Sequence, residues 1–504
     1  MYVIDVNTSF GRRVDPDPRF SPAALCEELA RHQVARAFTC SQQGVSYSAF
    51  HGNAETLAVT AQYPALLPAA VLNPKESLGW QEEIDRCLGA GVRAFRFFPG
   101  VQGWSLASQR FRETLNYLHG SGAVLMVSTM DCLTGWELAS AAAEMTTRLD
   151  LPLILTDTGY GNMSETIAVM QRYPHVYADT RWLAAMDAVE IMAEAIGADR
   201  LLYSSMAPLL PVQKALNQVL EAKISDADKI AILGGNAMRL FDIAPEELAG
   251  APQLDSLEPA KFEEEIIDVH SHLGYWPLPL RNEDYDPTQM LARMRRFGIT
   301  RSVLSSYESM RYDLAAGNRA VAQAIEGHPE LLGYVELDPH HLELSCAEMD
   351  RYYPLPNFAG CEIELTHIPC PTGSPKVRAL FAEMAKRGKP VLFMPHSEAD
   401  AEAERALGRE FPNLNIIHAH SFDGEWAQVV KDTPNIHVEH CYSRGSHFPV
   451  IETLQILGPE RVLFGSDQTL LSVGAAVGMY LDAGMTAEER TLVLAGNARR
   501  LFRL

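Results

Sequence analysis

The sequence predicts an α/β protein made of two tandem (β/α)8 TIM barrels. Three observations carry this. The chain of 504 residues is written twice. Each half alternates short apolar runs with helix-like stretches. The second half places imidazoles and carboxylates at the ends of successive runs, where a barrel of this kind builds its active site.

The repeat is the first element. Ile4-Asp5-Val6-Asn7-Thr8-Ser9-Phe10-Gly11 aligns with Ile267-Asp268-Val269-His270-Ser271-His272-Leu273-Gly274, an offset of 263 with Asn7 set against His270. Gly197 to Ser205 answers Gly458 to Ser466. Both halves close on Gly-Asn-Ala-x-Arg-Leu-Phe, at Gly235–Phe241 and Gly496–Phe502. The repeating unit is a whole domain, too long for a solenoid motif. In the first half, strands are expected in the opening run Met1–Val6, and at 37–39, 69–72, 92–97, 124–127, 153–156, 176–179 and 201–203. The second half repeats the series. Domains are expected at 1–244 and 266–504. The stretch 245–265 is expected to link them, because it carries Pro245, Pro252 and Pro259, many acids and little apolar periodicity.

Composition bounds the function. The formal net charge of −22 argues against a nucleic-acid surface, which needs a basic face. The eight cysteines are scattered without a Cys-x-x-Cys pair, which favours a reducing compartment over a disulfide framework or a thiolate zinc site. The chain opens straight into a strand, and no apolar run approaches a membrane span. A cytoplasmic protein without membrane or nucleic-acid partners is expected.

The second half carries the candidate ligands. Side chains alternate along a strand, so His270 and His272 are expected on one side of Ile266–Gly274. The fourth strand, 360–365, supplies Glu362 and Glu364, which are costly inside a barrel unless paired or bound to metal. The fifth, 391–396, ends at His396. The sixth, 415–420, ends at His420, with His418 expected one step deeper on the same face. The eighth, 462–467, ends at Asp467. Histidine and carboxylate together suit zinc, manganese or iron(II). A bound divalent ion lowers the pKa of its water and polarises a carbonyl. Asp467 can then take a proton, and His420 can steady an oxyanion. The same groups can instead bind a carboxylate substrate while CO2 leaves. Tyr275, Trp276, Arg281, Glu308, Arg311, Arg444 and His447 are candidates for substrate contact, an arginine suiting a carboxylate.

His270-x-His272, the fifth-strand His396, Ala419-His420-Ser421, Arg461 to Asp467 and the closing Gly-Asn-Ala-x-Arg-Leu-Phe resemble the amidohydrolase-related branch of the amidohydrolase superfamily. This branch includes the aminocarboxymuconate-semialdehyde decarboxylases. The resemblance spans nearly all of 263–504 and implies a metal-dependent hydrolase or a non-oxidative decarboxylase. It implies that His270, His272, His396 and Asp467 hold a divalent metal, Zn2+ first, with Mn2+ or Fe2+ as alternatives. His420 would bind a second ion or act on substrate. Many relatives carry Lys near Glu362; the Glu found here is able to bridge two metals, which leaves one or two ions open.

Carried back, His270 becomes Asn7, His272 Ser9, Glu362 Arg96, His396 Thr129, His420 Asp157 and Asp467 Met206. The first half therefore reads as a degenerate barrel: a structural partner replacing the second subunit of a dimer, a lender of loop residues, or a site for a separate ligand through Arg96. The leading expectation is hydrolysis of an amide, lactone or related C–N/C–O bond of a small, carboxylate-bearing molecule. Decarboxylation comes second and a non-catalytic scaffold third. A monomer with pseudo-dimeric halves and a homo-oligomer both fit.

Overall fold

The structure is a computed structural model that describes residues 1–12, 17–129, 138–277, 286–397, 400–420, 424–441 and 448–504. The chain divides into two compact units, Met1–Pro259 and Ala260–Leu504. The first contains β1 (Val3–Phe10), β2 (Val34–Ser41), β3 (Leu66–Val71), β4 (Ala94–Phe97), β5 (Val124–Ser128), β6 (Leu153–Thr156), β7 (Val176–Asp179) and β8 (Leu201–Leu202). The second contains β9 (Ile266–Leu273), β10 (Ile299–Ser306), β11 (Leu331–Glu336), β12 (Phe358–Glu364), β13 (Val391–Met394), β14 (Ile416–His418), β15 (Ile436–Glu439) and β16 (Val462–Leu463). Within each unit every strand lies beside its neighbour in sequence, the pairings are parallel, and helices fill the crossovers. These are two tandem (β/α)8 barrels.

The seam between first and last strand is bridged in the same way twice. Val6 N donates to Tyr203 O at 3.1 Å and Met206 N to Asn7 O at 2.8 Å. In the second unit Val269 N donates to Phe464 O at 3.0 Å and Asp467 N to His270 O at 2.8 Å. A buried aspartate fastens each seam. Asp5 accepts from Ser205 N at 3.2 Å, and Asp268 accepts from Ser466 N at 3.0 Å. Burial pushes the Asp5 carboxyl up to about 7, against the lowering pull of its Ser205 hydrogen bond.

Other repeats of the sequence are equally structural. Asn53 donates to Val71 O and accepts from Val71 N, at 2.9 and 2.7 Å; Asn318 does the same at Glu336, at 3.2 and 2.9 Å. Asn236 caps Ala198 O and Leu201 O, and Asn497 caps Pro459 O and Val462 O. Each amide satisfies backbone groups that would otherwise be buried without partners.

Inside the 245–265 stretch, Pro245–Leu248 forms a short 3-10 turn, and Leu248 is buried in the first unit's core. Met1 N donates to Leu254 O at 3.0 Å. Glu264 and Glu265 instead pair with Arg490 and Arg499 of the second unit, at 2.6 and 2.7 Å. No helix of the described residues is long and apolar enough to cross a membrane.

Candidate active site

The site of the second barrel begins with a defect in β9. Asp268 faces Ser302 and Ser271 faces Leu304, so Val269 and His270 together oppose Val303 alone. Such a bulge leaves one extra residue in the strand and re-aims a side chain. It brings His270 Nε2 to 3.0 Å from His272 Nε2. The first barrel has the same bulge: Val6 and Asn7 sit between the paired residues Asp5 and Thr8, opposite Phe38.

Strands β13, β14 and β16 are shorter than the sequence implies, and the candidate ligands follow them. His420 and Asp467 take left-handed conformations, φ 58° and 56°. These are unfavourable for residues with a Cβ and are held only where the surroundings impose them. They swing the two side chains towards β9. Asp467 Oδ1 stands 3.1 Å from His272 Nε2 and 3.9 Å from His270 Nε2. The His420 and His270 rings lie 4.8 Å apart between centroids. His270, His272, His420, Asp467 and Cys441 are all buried. His270, His272 and Asp467 form one set of converging donors, and His270, His420 and Cys441 a second.

The tautomers follow from the partners. Glu439 Oε1 lies 2.8 Å from His270 Nδ1, and a carboxylate only accepts, so Nδ1 carries the hydrogen and, in the neutral ring, Nε2 is the nitrogen left with a lone pair. Ser305 bonds to Glu362, leaving its oxygen to accept from His272 Nδ1 at 2.9 Å. Two imidazole nitrogens, which offer lone pairs when the rings are neutral, and a carboxylate oxygen therefore converge. The Asp467 carboxyl is held down to about 2: burial would raise it, but the His272 hydrogen bond and the charges of His270, His272 and His420 outweigh burial. His270 is pushed well above its usual value, because Glu439 and Asp467 overcome the cost of burial. Burial and the charge of His270 lower His420 to about 4. The pocket of charge thus attracts a cation, and its N and O donors fit a divalent d-block ion.

Glu362 is buried, with its carboxyl raised chiefly by burial, and Oε2 has no hydrogen-bond partner among the described residues. Glu336, paired with it across β11 and β12, is raised well above the usual carboxylate range by burial and by Glu362. Trp276 is buried. Its ring lies 5.5 Å from His272 and 4.0 Å from Tyr307, and its Nε1 donates to Thr469 Oγ1 at 3.2 Å. Tyr307 continues this aromatic row to His367, at 5.9 Å.

Two expectations meet a different geometry. His396 is not gathered into the cluster. Pro395 ends the strand segment, and the ring is exposed, with Nδ1 3.4 Å from Leu365 O. His418 does not share a face with His420. It bonds to Glu404 at 2.8 Å and packs on Trp426, because the left-handed turn at His420 breaks the alternation. Of the candidates for substrate contact, Tyr275 is 61% exposed. Glu308 and Arg311 are exposed as well. Arg281, Arg444 and His447 lie outside the described residues.

Glu439, Cys441 and Ser305 were not singled out from the sequence. Glu439 offered a signal, as an acid ending the apolar run 436–438. Its fit depends on Gly465, where a Cβ would stand 2.0 Å from Glu439 Oε2. Cys441 lies 2.8 Å from His420 Nδ1, and burial followed by the Glu439 and Asp467 charges pushes its thiol up to about 12.

A bulged first strand, kinked strand ends and converging imidazole and carboxylate donors give a TIM barrel whose residues could hold a divalent metal. The amidohydrolase family model matches residues 10–243 and again 267–504, and the chain belongs to that family. Comparison with curated protein sequences gives no match. Among solved structures, a 2,6-dihydroxybenzoate decarboxylase complexed with 2,6-dihydroxybenzoate is 15% identical, with TM-score 0.39, covering 48% of this chain and 100% of its own. A 5-carboxyvanillate decarboxylase from Sphingomonas paucimobilis is 16% identical, with TM-score 0.40, covering 48% and 99%. An uncharacterized TIM-barrel protein from Bordetella bronchiseptica is 19% identical, with TM-score 0.39, covering 49% and 100%.

Proposed function

We propose that the second barrel is a metal-dependent, non-oxidative decarboxylase of small planar carboxylic acids. The observation that carries this reading is the aromatic row Trp276–Tyr307 set directly against the His270–His272–Asp467 donors. A flat ring stacked on that row presents its carboxylate to the cationic end of the site.

His270, His272 and Asp467 would hold the ion, with His420 and Cys441 beside it and Glu362 within reach of the same charges. A divalent ion there supplies Lewis-acid polarisation of a bound carboxyl or carbonyl oxygen. The chain's residues do the rest. Glu439 and Ser305 fix the imidazole tautomers. His420, kept neutral at pH 7, is able to accept or share a proton at the substrate. Glu336 and Glu362, with carboxyls raised by burial, lie side by side across β11 and β12, and Glu362 feels the charges of His270 and His272. The donors themselves are buried, which limits water around the reacting atoms.

Hydrolysis of an amide or lactone is the second reading. It is favoured by Asp467, whose ionised carboxylate beside the imidazoles suits a general base. Incubating the manganese- and zinc-loaded protein with hydroxybenzoates, carboxyvanillate, lactones and cyclic amides, with CO2 release measured, separates the two. Turnover of aromatic acids with stoichiometric CO2 supports the proposal. Ring opening without CO2 overturns it in favour of hydrolysis.

A further inference from the structure

The first barrel holds a cavity of about 380 Å³ at the C-terminal ends of its strands. Phe20, Phe98, Val101, Met206 and Leu209 make most of its wall, with Ser9, Gln42 and Ser46 adding hydroxyl and amide groups. Ser46 and Val101 stand exposed at its edge, so small molecules can reach it. Arg96 of β4 also lines it and is only 4% exposed.

The environment of Arg96 points to a ligand. Its guanidinium donates to Thr8 O at 3.0 Å, to Cys40 Sγ at 3.2 Å and to Asn7 Oδ1 at 2.5 Å. All three acceptors are uncharged. Asp179 is one amide away, joined to the far side of Asn7 at 3.2 Å. An arginine has five N–H donors in a fixed fork, so these bonds orient the group without neutralising it or using its whole capacity. The ring of Phe98 covers one face, 4.8 Å from the guanidinium carbon. A buried cation is costly unless an anion joins it.

We propose that this cavity is a metal-free binding site for a small aryl or branched-alkyl monocarboxylate, with the carboxylate on Arg96 and the apolar part against Phe20, Phe98 and Leu209. The guanidinium fork matches a carboxylate in shape and charge. The cavity size is that of small-ligand sites, and its mix of apolar wall and few polar groups is typical of them.

The test is calorimetric titration of the full chain with benzoate, 3-methylbutanoate and benzamide as probes. Saturable binding of at least one acid is expected, with benzamide at least about tenfold weaker because it lacks the charge. Arg96→Gln is expected to weaken acid binding at least about tenfold. Because Arg96 also ties β1 to β4, Leu209→Trp provides a second variant that fills the cavity and leaves those bonds in place; it should abolish binding with an unchanged thermal melt. The double variant His270→Ala, His272→Ala should keep the Arg96-dependent part of this binding. No saturable binding of either acid overturns the site. So does equal binding of benzoate and benzamide, or binding that disappears with His270 and His272 but survives Arg96→Gln and Leu209→Trp.

Discussion

The two barrels share a frame and differ in what the frame carries. Both bulge the first strand at the same place, at Val6–Asn7 and at Val269–His270. Both force a residue into the left-handed region after the sixth strand, Asp157 at φ 73° and His420 at 58°, and after the eighth, Met206 at 63° and Asp467 at 56°. Even the carboxylate behind the first candidate ligand is kept. Glu439 accepts from His270 and from His420 N; Asp179 accepts from Asn7 Nδ2 and from Asp157 N at 3.0 Å. A methionine in the left-handed region costs free energy that no donor function there repays. The strained geometry thus belongs to the barrel frame, and the chemistry depends on the side chains it displays.

The largest test of this contrast is removal of the donors. His270→Ala with His272→Ala should eliminate bound metal and reduce turnover to background, read by elemental analysis and CO2 assay, because both donor sets of the site include His270 and neither survives its loss. Asn7→Ala with Ser9→Ala should leave metal content intact. Metal that survives the first change or departs with the second breaks the comparison.

Removing a supporting carboxylate should cost less. Glu439→Gln keeps the shape but weakens the grip on His270 Nδ1, and about 10–100-fold loss of metal affinity or rate is expected. Glu362→Gln should fall in the same range if its unpartnered oxygen faces the ion. Unchanged metal content and rate in Glu362→Gln would remove that residue from the site.

Smaller effects test the shared frame. Asn53→Ala and Asn318→Ala each strip partners from buried backbone groups, so each barrel should lose about 1–3 kcal/mol of stability in chemical denaturation. Unequal losses would show that the halves do not depend on the frame alike. The smallest effect is in pH. The Asp5 carboxyl is raised from 3.8 to about 7 in the folded chain, so the folded state binds the proton more tightly than the unfolded state. That contribution is fully present below about pH 4 and is lost as pH rises through about 7. Asp5→Asn should flatten this part of the stability profile, and a slope that persists unchanged in the variant would assign it to another group.

The sequence by itself determined the architecture. The doubled Ile-Asp-Val and Gly-Asn-Ala-x-Arg-Leu-Phe segments, with strand-like runs between them, specify two barrels because local pattern dictates strands and parallel pairing follows from the crossovers. The same alignment marked His270, His272, His420 and Asp467 in one half and their replacements in the other. Tertiary structure decided the direction of the side chains. Period-two alternation put His418 beside His420 and His396 in the cluster, but one left-handed residue or one proline resets the count. Glu439 and Ser305 sit on strands, and Cys441 just after one, that only the closed barrel brings around His270 and His272. Arg96 likewise read as a lost ligand; only folding shows that it lies buried against Asn7, Cys40 and Phe98 in an apolar cavity. Periodicity is a property of the local chain, whereas convergence on one point depends on bulges, kinks and closure that pair residues hundreds of positions apart.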